Sequence, residues 1–271
     1  TLNRSSPVQV GTSSWTSVSS NQYSMYMIRN DGRLFATGEN SSGQLGLNDV
    51  ILRSSPVQVG TSSWTQLRSF AETAGGFIGS KLYAWGRNDQ RQFGLGIVNT
   101  NTFMSSPVQI TTLLTGLVDA EYRANRGLPI YSWNALSASN ENFFMIRNDG
   151  RLFSFGNNVN GQLGINSTVP AVLLTAIGTS SWIAVSASDS HTVAIRADGS
   201  LFTWGRNEFG QLGTGLTGTL TNRSSPVQIG TSSWIAVTAG NAWTMAISRN
   251  NLLWSWGINN VGQLGRMDNI N

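Results

Sequence analysis

One histidine, thirteen carboxylate side chains and no cysteine leave this chain of 271 residues few groups for acid–base or metal chemistry. The histidine, His191, sits in the alternating run His191-Thr-Val-Ala-Ile-Arg. Similar runs elsewhere in the chain carry Tyr23, Phe143 and Trp243 at what reads as the same place. A residue that exchanges with aromatics is expected to pack, and no Ser-His-Asp or Cys-His arrangement assembles around it. Metal centres need several His, Cys or carboxylate ligands, and the acidic residues here are isolated, mostly in turns. The recurring Gly-Gln-Leu-Gly lacks the Gly-Lys-Ser/Thr and following helix of a phosphate loop. No catalytic, cofactor or metal residue is therefore assigned, and the chain is read as a non-enzyme.

Charge is concentrated in one place. Between Ile110 and Trp133 the chain carries Asp119, Glu121, Tyr122, Arg123 and Arg126, in a sequence of which only 11% is charged. The pattern predicts a short helical turn over 119–126, ended by Gly127 and Pro129. These five residues form the candidate interaction loop. The net charge of +4 does not mark a nucleic-acid surface. Arg29, Arg147 and Arg196, and again Arg4, Arg53 and Arg223, stand at recurring positions, so the basic charge is distributed rather than gathered. No run of about eighteen apolar residues is present, so no membrane insertion is expected.

These residues are positioned by a repeat. Ser-Ser-Pro-Val-Gln-Val-Gly-Thr-Ser-Ser-Trp occurs at Ser5–Trp15 and Ser54–Trp64, and with one Val changed to Ile at Ser224–Trp234. Gly-Gln-Leu-Gly begins at Gly43, Gly161, Gly210 and Gly262, with a degenerate Arg91-Gln92-Phe93-Gly94. Five units are anchored at Trp15, Trp64, Trp133, Trp182 and Trp234, spaced by 49, 69, 49 and 52 residues. Periods of this length mean solenoids, propellers or arrays. The long spacing holds an insertion of residues 111–132, in the third repeat. Insertions in repeat proteins map to loops on one face, often the binding face.

Within a unit the apolar period is two. A small-residue strand follows each Trp, then a run such as Tyr23-Ser-Met-Tyr-Met-Ile-Arg, then Asp31-Gly32, Asp149-Gly150 or Asp198-Gly199. Asp-Gly between apolar runs predicts a two-residue hairpin turn of type I′. Gly79-Ser80 and Asn250-Asn251 replace it in the second and fifth units. A third strand ends in Trp85, Trp204 or Trp256, or in Thr37 or Phe155. Both sets of strand aromatics are expected between blades, although exposed ones could stack on a glycan. Asn40, Asn88, Asn158, Asn207 and Asn259 precede each Gly-Gln-Leu-Gly segment and are expected to bond its backbone amides. Ser-Ser-Pro-Val-Gln-Val is a fourth, outer strand, where Pro is tolerated.

The expected fold is all-β: one propeller domain over residues 1–271, of five four-stranded blades. The stretch from Gly213 to Pro226 is matched in length by the residues after Gly265 joined to those before Pro7. The N-terminal strand is therefore expected to complete the last blade and close the ring. Five blades of a longer array is the other reading.

Ser190–Gly213, with His-Thr-Val-Ala-Ile-Arg, Asp-Gly-Ser-Leu-Phe-Thr-Trp-Gly and Gly-Gln-Leu-Gly, resembles the repeat of the regulator-of-chromosome-condensation propeller family. The resemblance extends through all five copies and implies the propeller fold. The family's founding member has seven blades and is a chromatin-bound guanine-nucleotide exchange factor. This chain departs from it in having five repeats, no basic N-terminal arm and no match to its β-wedge. The fold carries over and the exchange activity does not. The repeats also resemble those of bacterial and phage structural proteins. The expected function is a non-catalytic scaffold for protein partners, with a virion or cell-surface role implied by that likeness. A GTPase regulator is the alternative and a glycan-binding propeller the third reading.

Overall fold

The computed structural model describes residues 6–7, 9–70, 72–79, 81–88, 103–110 and 132–266. They build five antiparallel sheets in chain order. The first contains β1 (Trp15–Ser20), β2 (Ser24–Arg29), β3 (Arg33–Gly38) and β4 (Arg53–Ser63). The second contains β5 (Gln66–Phe70), β6 (Thr73–Ile78), β7 (Lys81–Arg87) and β8 (Phe103–Gln109). The third contains β9 (Trp133–Ala138), β10 (Asn142–Arg147), β11 (Leu152–Gly156) and β12 (Ala171–Ala176). The fourth contains β13 (Trp182–Ala187), β14 (His191–Arg196), β15 (Leu201–Gly205) and β16 (Arg223–Gln228). The fifth contains β17 (Trp234–Ala239), β18 (Trp243–Ser248) and β19 (Leu253–Gly257). One turn of 3-10 helix, Thr219–Thr221, precedes β16. Each sheet is a propeller blade, and Ser-Ser-Pro-Val-Gln lies in the outermost strand of blades 1, 2 and 4, as expected.

The hairpin turns differ from expectation. Gly32, Gly150 and Gly199 take left-handed φ angles of 81°, 82° and 85°, but the preceding aspartates do not. Arg147 N–H donates to Arg151 O and Gly150 N–H to Arg147 O, which makes a three-residue loop whose last residue is left-handed. The aspartate explains the choice. Its Oδ1 accepts the N–H of Arg33, Arg151 or Ser200, two residues on, and so caps the loop from inside. In blade 5, Asn251 takes the left-handed place at 63°.

The apolar core lies between blades. A bulge in the first strand lets Trp182 share a face with Val185. One cluster joins Tyr26, Ile28, Leu34 and Ala36 of blade 1 to Trp64, Leu67, Ala74 and Trp85 of blade 2. Equivalent clusters join blades 2 and 3, 3 and 4, and 4 and 5. First strands pack in sequence, β1 on β5, β5 on β9, β9 on β13 and β13 on β17. Among the described residues, β17 makes no packing of that extent with β1. The five blades therefore form an arc.

The expected closing strand is not found among the described residues. The fifth sheet has three strands there. Ser6, Pro7, Gln9 and Val10 are exposed and belong to no strand.

Candidate functional site

The most regular chemistry in the molecule is at the blade junctions. In each intact Gly-Gln-Leu-Gly loop the Asn before it is buried, and its Oδ1 accepts the Leu amide: Leu45 from Asn40 at 2.8 Å, Leu163 from Asn158, Leu212 from Asn207 and Leu264 from Asn259. This is the expected role of the asparagines. It turns the Gln carbonyl toward the next blade. Trp85 Nε1 donates to Gln44 O, Trp204 Nε1 to Gln162 O and Trp256 Nε1 to Gln211 O, at 2.8–2.9 Å. Thr192 and Thr244 hydroxyls donate to the same carbonyls of Gln162 and Gln211. A second link runs between first strands. Ser19, Ser137 and Ser186 Oγ accept the amides of Ser69, Ala187 and Ala239 from the following blade.

The junction between blades 2 and 3 uses neither device. Phe155 stands where blades 2, 4 and 5 have Trp, Phe143 where blades 4 and 5 have Thr, and Arg68 where blades 1, 3 and 4 have Ser. Phe143 and Phe155 stack instead, 5.3 Å apart and 4° from parallel. Gly75 makes room for them: a Cβ there would stand 2.9 Å from Phe143. This is the junction whose preceding loop carries the degenerate Arg91 sequence, which lies outside the described residues.

His191 is fully buried and links blades 4 and 5. Thr244 spends its proton on Gln211 O, so its oxygen accepts from His191 Nε2–H at 2.9 Å. Nδ1 is then an acceptor, satisfied by the Ser188 hydroxyl at 2.8 Å. Burial pushes the imidazole pKa down to about 3, which keeps it neutral. The packing role agrees with expectation, but the alignment behind it does not. Pairing with the glycine that ends each third strand puts His191 in register with Ser24, Thr73, Asn142 and Trp243. Tyr23 lies one residue outside that column and is exposed, and Phe143 lies one residue inside it. Alternation alone does not fix such a one-residue offset.

The two rims of the arc differ in chemistry. At one rim are the hairpin turns, with Arg29–Asp31, Arg147–Asp149 and Arg196–Asp198 ion pairs. Each arginine also lies over the ring of Phe35, Phe153 or Phe202. The Arg29 guanidinium holds the Asp31 carboxyl at about 2. Such pairs are local to one turn and spread around the rim.

At the other rim are the connections from third to fourth strands. They expose Val50, Ile51 and Leu52 in blade 1, Val159 and Val169 in blade 3, and Leu216 and Leu220 in blade 4. Leu220 is 97% exposed. Sequence reading missed this apolar rim because these residues follow no period. Their signal was an apolar residue in an otherwise polar turn.

Asp119, Glu121, Tyr122, Arg123 and Arg126 lie outside the described residues. Only the flanks of their segment are seen. Ile110 N–H donates to Leu82 O, and Asn148 N–H to Ser132 O, which places both flanks at the hairpin rim. Among the described residues no group of three His, Cys, Asp or Glu could hold a metal, and no helix is long and apolar enough to cross a membrane.

Comparisons with known proteins agree with this geometry. The structure is similar to human WBSCR16, with a TM-score of 0.73 at 18% identity over 89% of this chain and 60% of that one. It is similar to yeast RCC1 (Prp20) in its complex with Kap60, with a TM-score of 0.70 at 16% identity over 90% of this chain and 56% of that one. A separate structure of Prp20p from Saccharomyces cerevisiae, described with its binding to Gsp1p and histones, gives a TM-score of 0.55 at 16% identity, over 93% and 74%. The chain thus spans less than two thirds of the first two. The model of the regulator of chromosome condensation (RCC1) repeat matches residues 31–71, 149–195 and 198–247, and a second model of the same repeat matches 182–211. With half of its residues matched, and with blades 1 and 2, 3 and 4, and 4 and 5 joined through the same loop, the chain belongs to the RCC1-repeat β-propeller family.

Proposed function

We propose that the chain is a non-catalytic propeller scaffold that binds protein partners through the rims of its arc. The observation that carries this is the apolar rim, Val50–Leu52, Leu216 and Leu220, held on sheets whose junctions are fully packed. Exposed apolar clusters on a rigid frame mark interaction surfaces. The charged segment with Asp119, Glu121, Tyr122, Arg123 and Arg126 is the second determinant, and its flanks supply the opposite rim with a different chemistry. Proteins of the same fold have protein partners: Kap60 for yeast RCC1, and Gsp1p and histones for Prp20p. Cross-linking mass spectrometry on the bound partner tests the reading. Cross-links are expected at 48–52 and 214–221 and should vanish in an Ile51→Glu/Leu220→Glu variant. Persistence of all cross-links in that variant would overturn it. Accelerated nucleotide release from a small GTPase on adding the chain would instead make it an exchange factor.

A further inference from the structure

The outermost strand of blade 3 departs from those of blades 1, 2 and 4. Register aligns the four residue for residue. Thr175 pairs with Ser154 as Val57 pairs with Ala36, Val108 with Ala84 and Val227 with Thr203. The other three carry Ser-Ser-Pro just before this place, ending at Pro56, Pro107 and Pro226. β12 carries Val172-Leu173-Leu174 there.

The proline stands where it removes a donor from the sheet edge. Ile110, Ile177 and Ile229 N–H point inward, to Leu82 O, Leu152 O and Leu201 O. Backbone groups alternate along an antiparallel strand, so Val108, Thr175 and Val227 also point inward, and residues 107, 174 and 226 point outward. A proline at such a place blunts the edge. Leu174 keeps its N–H. Leu174 and Ala176 thus turn an N–H and a C=O each toward an edge that pairs with no strand among the described residues.

The side chains follow the same line. Leu174 packs against the cluster of Phe143 and Phe155, so core filling explains it. Core filling does not explain Leu173, which takes the place of a serine and is 39% exposed. Charge is absent as well. No Asp, Glu, Lys or Arg occurs from Gly164 to Ser188, whereas β4 and β16 begin with Arg53 and Arg223. An apolar edge without proline or charge is a template for another strand.

We propose that this strand is β12 of a second copy of the chain. Two such strands running antiparallel about a two-fold axis offer each other identical, uncharged edges. A charged partner segment would find no counter-ion on β12. The two-fold axis requires one residue to face itself, and the outward Leu174 does so. Its N–H donates to the carbonyl of its twin, and its carbonyl accepts in return. Leu173 then lies beside Thr175 of the other copy, and Ala176 faces Val172. Two blades become one continuous sheet. The contact consumes the edge on both copies, so assembly stops at the dimer.

Sedimentation velocity on the full chain over a wide concentration range tests this. The mass is expected to double and to rise no further. Leu173→Lys, at an exposed site, should weaken association by about tenfold or more, because two like charges meet across the axis. Its thermal unfolding should match the wild type. Leu174→Pro, which gives blade 3 the residue of its three counterparts, should weaken association by a similar factor. Hydrogen exchange supplies a readout that loss of folding does not imitate: in the wild type the Leu174 and Ala176 amides should slow as concentration rises. The Ile51→Glu/Leu220→Glu variant should dimerise normally, which separates this contact from partner binding at the apolar rim. A wild-type chain that stays monomeric, or one that grows past the dimer, overturns the inference. So does a dimer that Leu173→Lys leaves intact, or one in which the two amides exchange as fast as in the monomer.

Discussion

The loops Gly161–Gly164 and Gly262–Gly265 have the same sequence and the same internal bond from Asn to Leu, and opposite surroundings. The first is closed by Trp204 and Thr192, both donating to Gln162 O. At the second, a Cβ on Gly265 would meet nothing within 4 Å. The loop's shape is thus set by its own residues, and the neighbouring blade only occupies it. Each blade arrives with a finished socket for the next.

The largest separation between the two loops should come from a methyl group. Gly164→Ala places a Cβ 2.7 Å from Trp204 Nε1 at a φ of 72°. Left-handed strain and overpacking together should cost about 3 kcal/mol or more. Gly265→Ala meets open space at a φ of 67° and should cost about 1–2 kcal/mol. Urea unfolding of the two variants reads the difference directly, and equal losses would mean that Trp204 does not fill the first loop.

Removing both donors to Gln162 O, with Trp204→Phe and Thr192→Val together, leaves a buried carbonyl unpaired. The expected loss is about 2–3 kcal/mol, and either change alone should cost less than half of that because one donor remains.

Acid should act on the closed junctions before it reaches the exposed ion pairs. His191 is held neutral with a pKa of about 3, below the ordinary value of 6.5, so protonation favours the unfolded chain. Its contribution is complete above about pH 6.5 and is lost as pH falls toward 3, by about 1.4 kcal/mol per unit. Unfolding free energies at pH 7 and pH 5 should therefore differ by about 2 kcal/mol. His191→Asn, the residue that Asn142 supplies at this place in blade 3, should remove that difference.

The smallest contrast is between first strands. Ser186→Ala takes the acceptor from the Ala239 amide and should cost about 1 kcal/mol. Thr238→Ala, the equivalent change at the open end, should cost almost nothing in thermal unfolding.

Blade number, strand order and the aromatic junctions were legible because period-two runs between fixed glycines leave few alternatives. The asparagine bonds were legible for a local reason: donor and acceptor lie five residues apart. The turn type was not, because Asp-Gly suits either a two-residue or a three-residue loop, and the choice rests on the aspartate oxygen reaching an amide two residues on. The column containing His191 was misread by one residue, since small, polar and aromatic side chains alternate on both sides of it. The apolar rim was invisible to any search for repetition. Closure by the N-terminal strand, expected from matched segment lengths, has no pairing among the described residues: lengths count residues, while the angle between blades is set by side-chain volumes at the junctions.

The eleven-residue segment shared by Ser5–Trp15 and Ser54–Trp64 straddles a seam in its second copy, where it ends one sheet and leads into the next. Identical stretches 49 residues apart are natural points for unequal exchange in a coding sequence. A crossover anywhere within them deletes or adds a complete sheet and leaves every remaining seam in register. The number of blades is therefore a heritable integer that can change in one step, with no intermediate carrying half a blade.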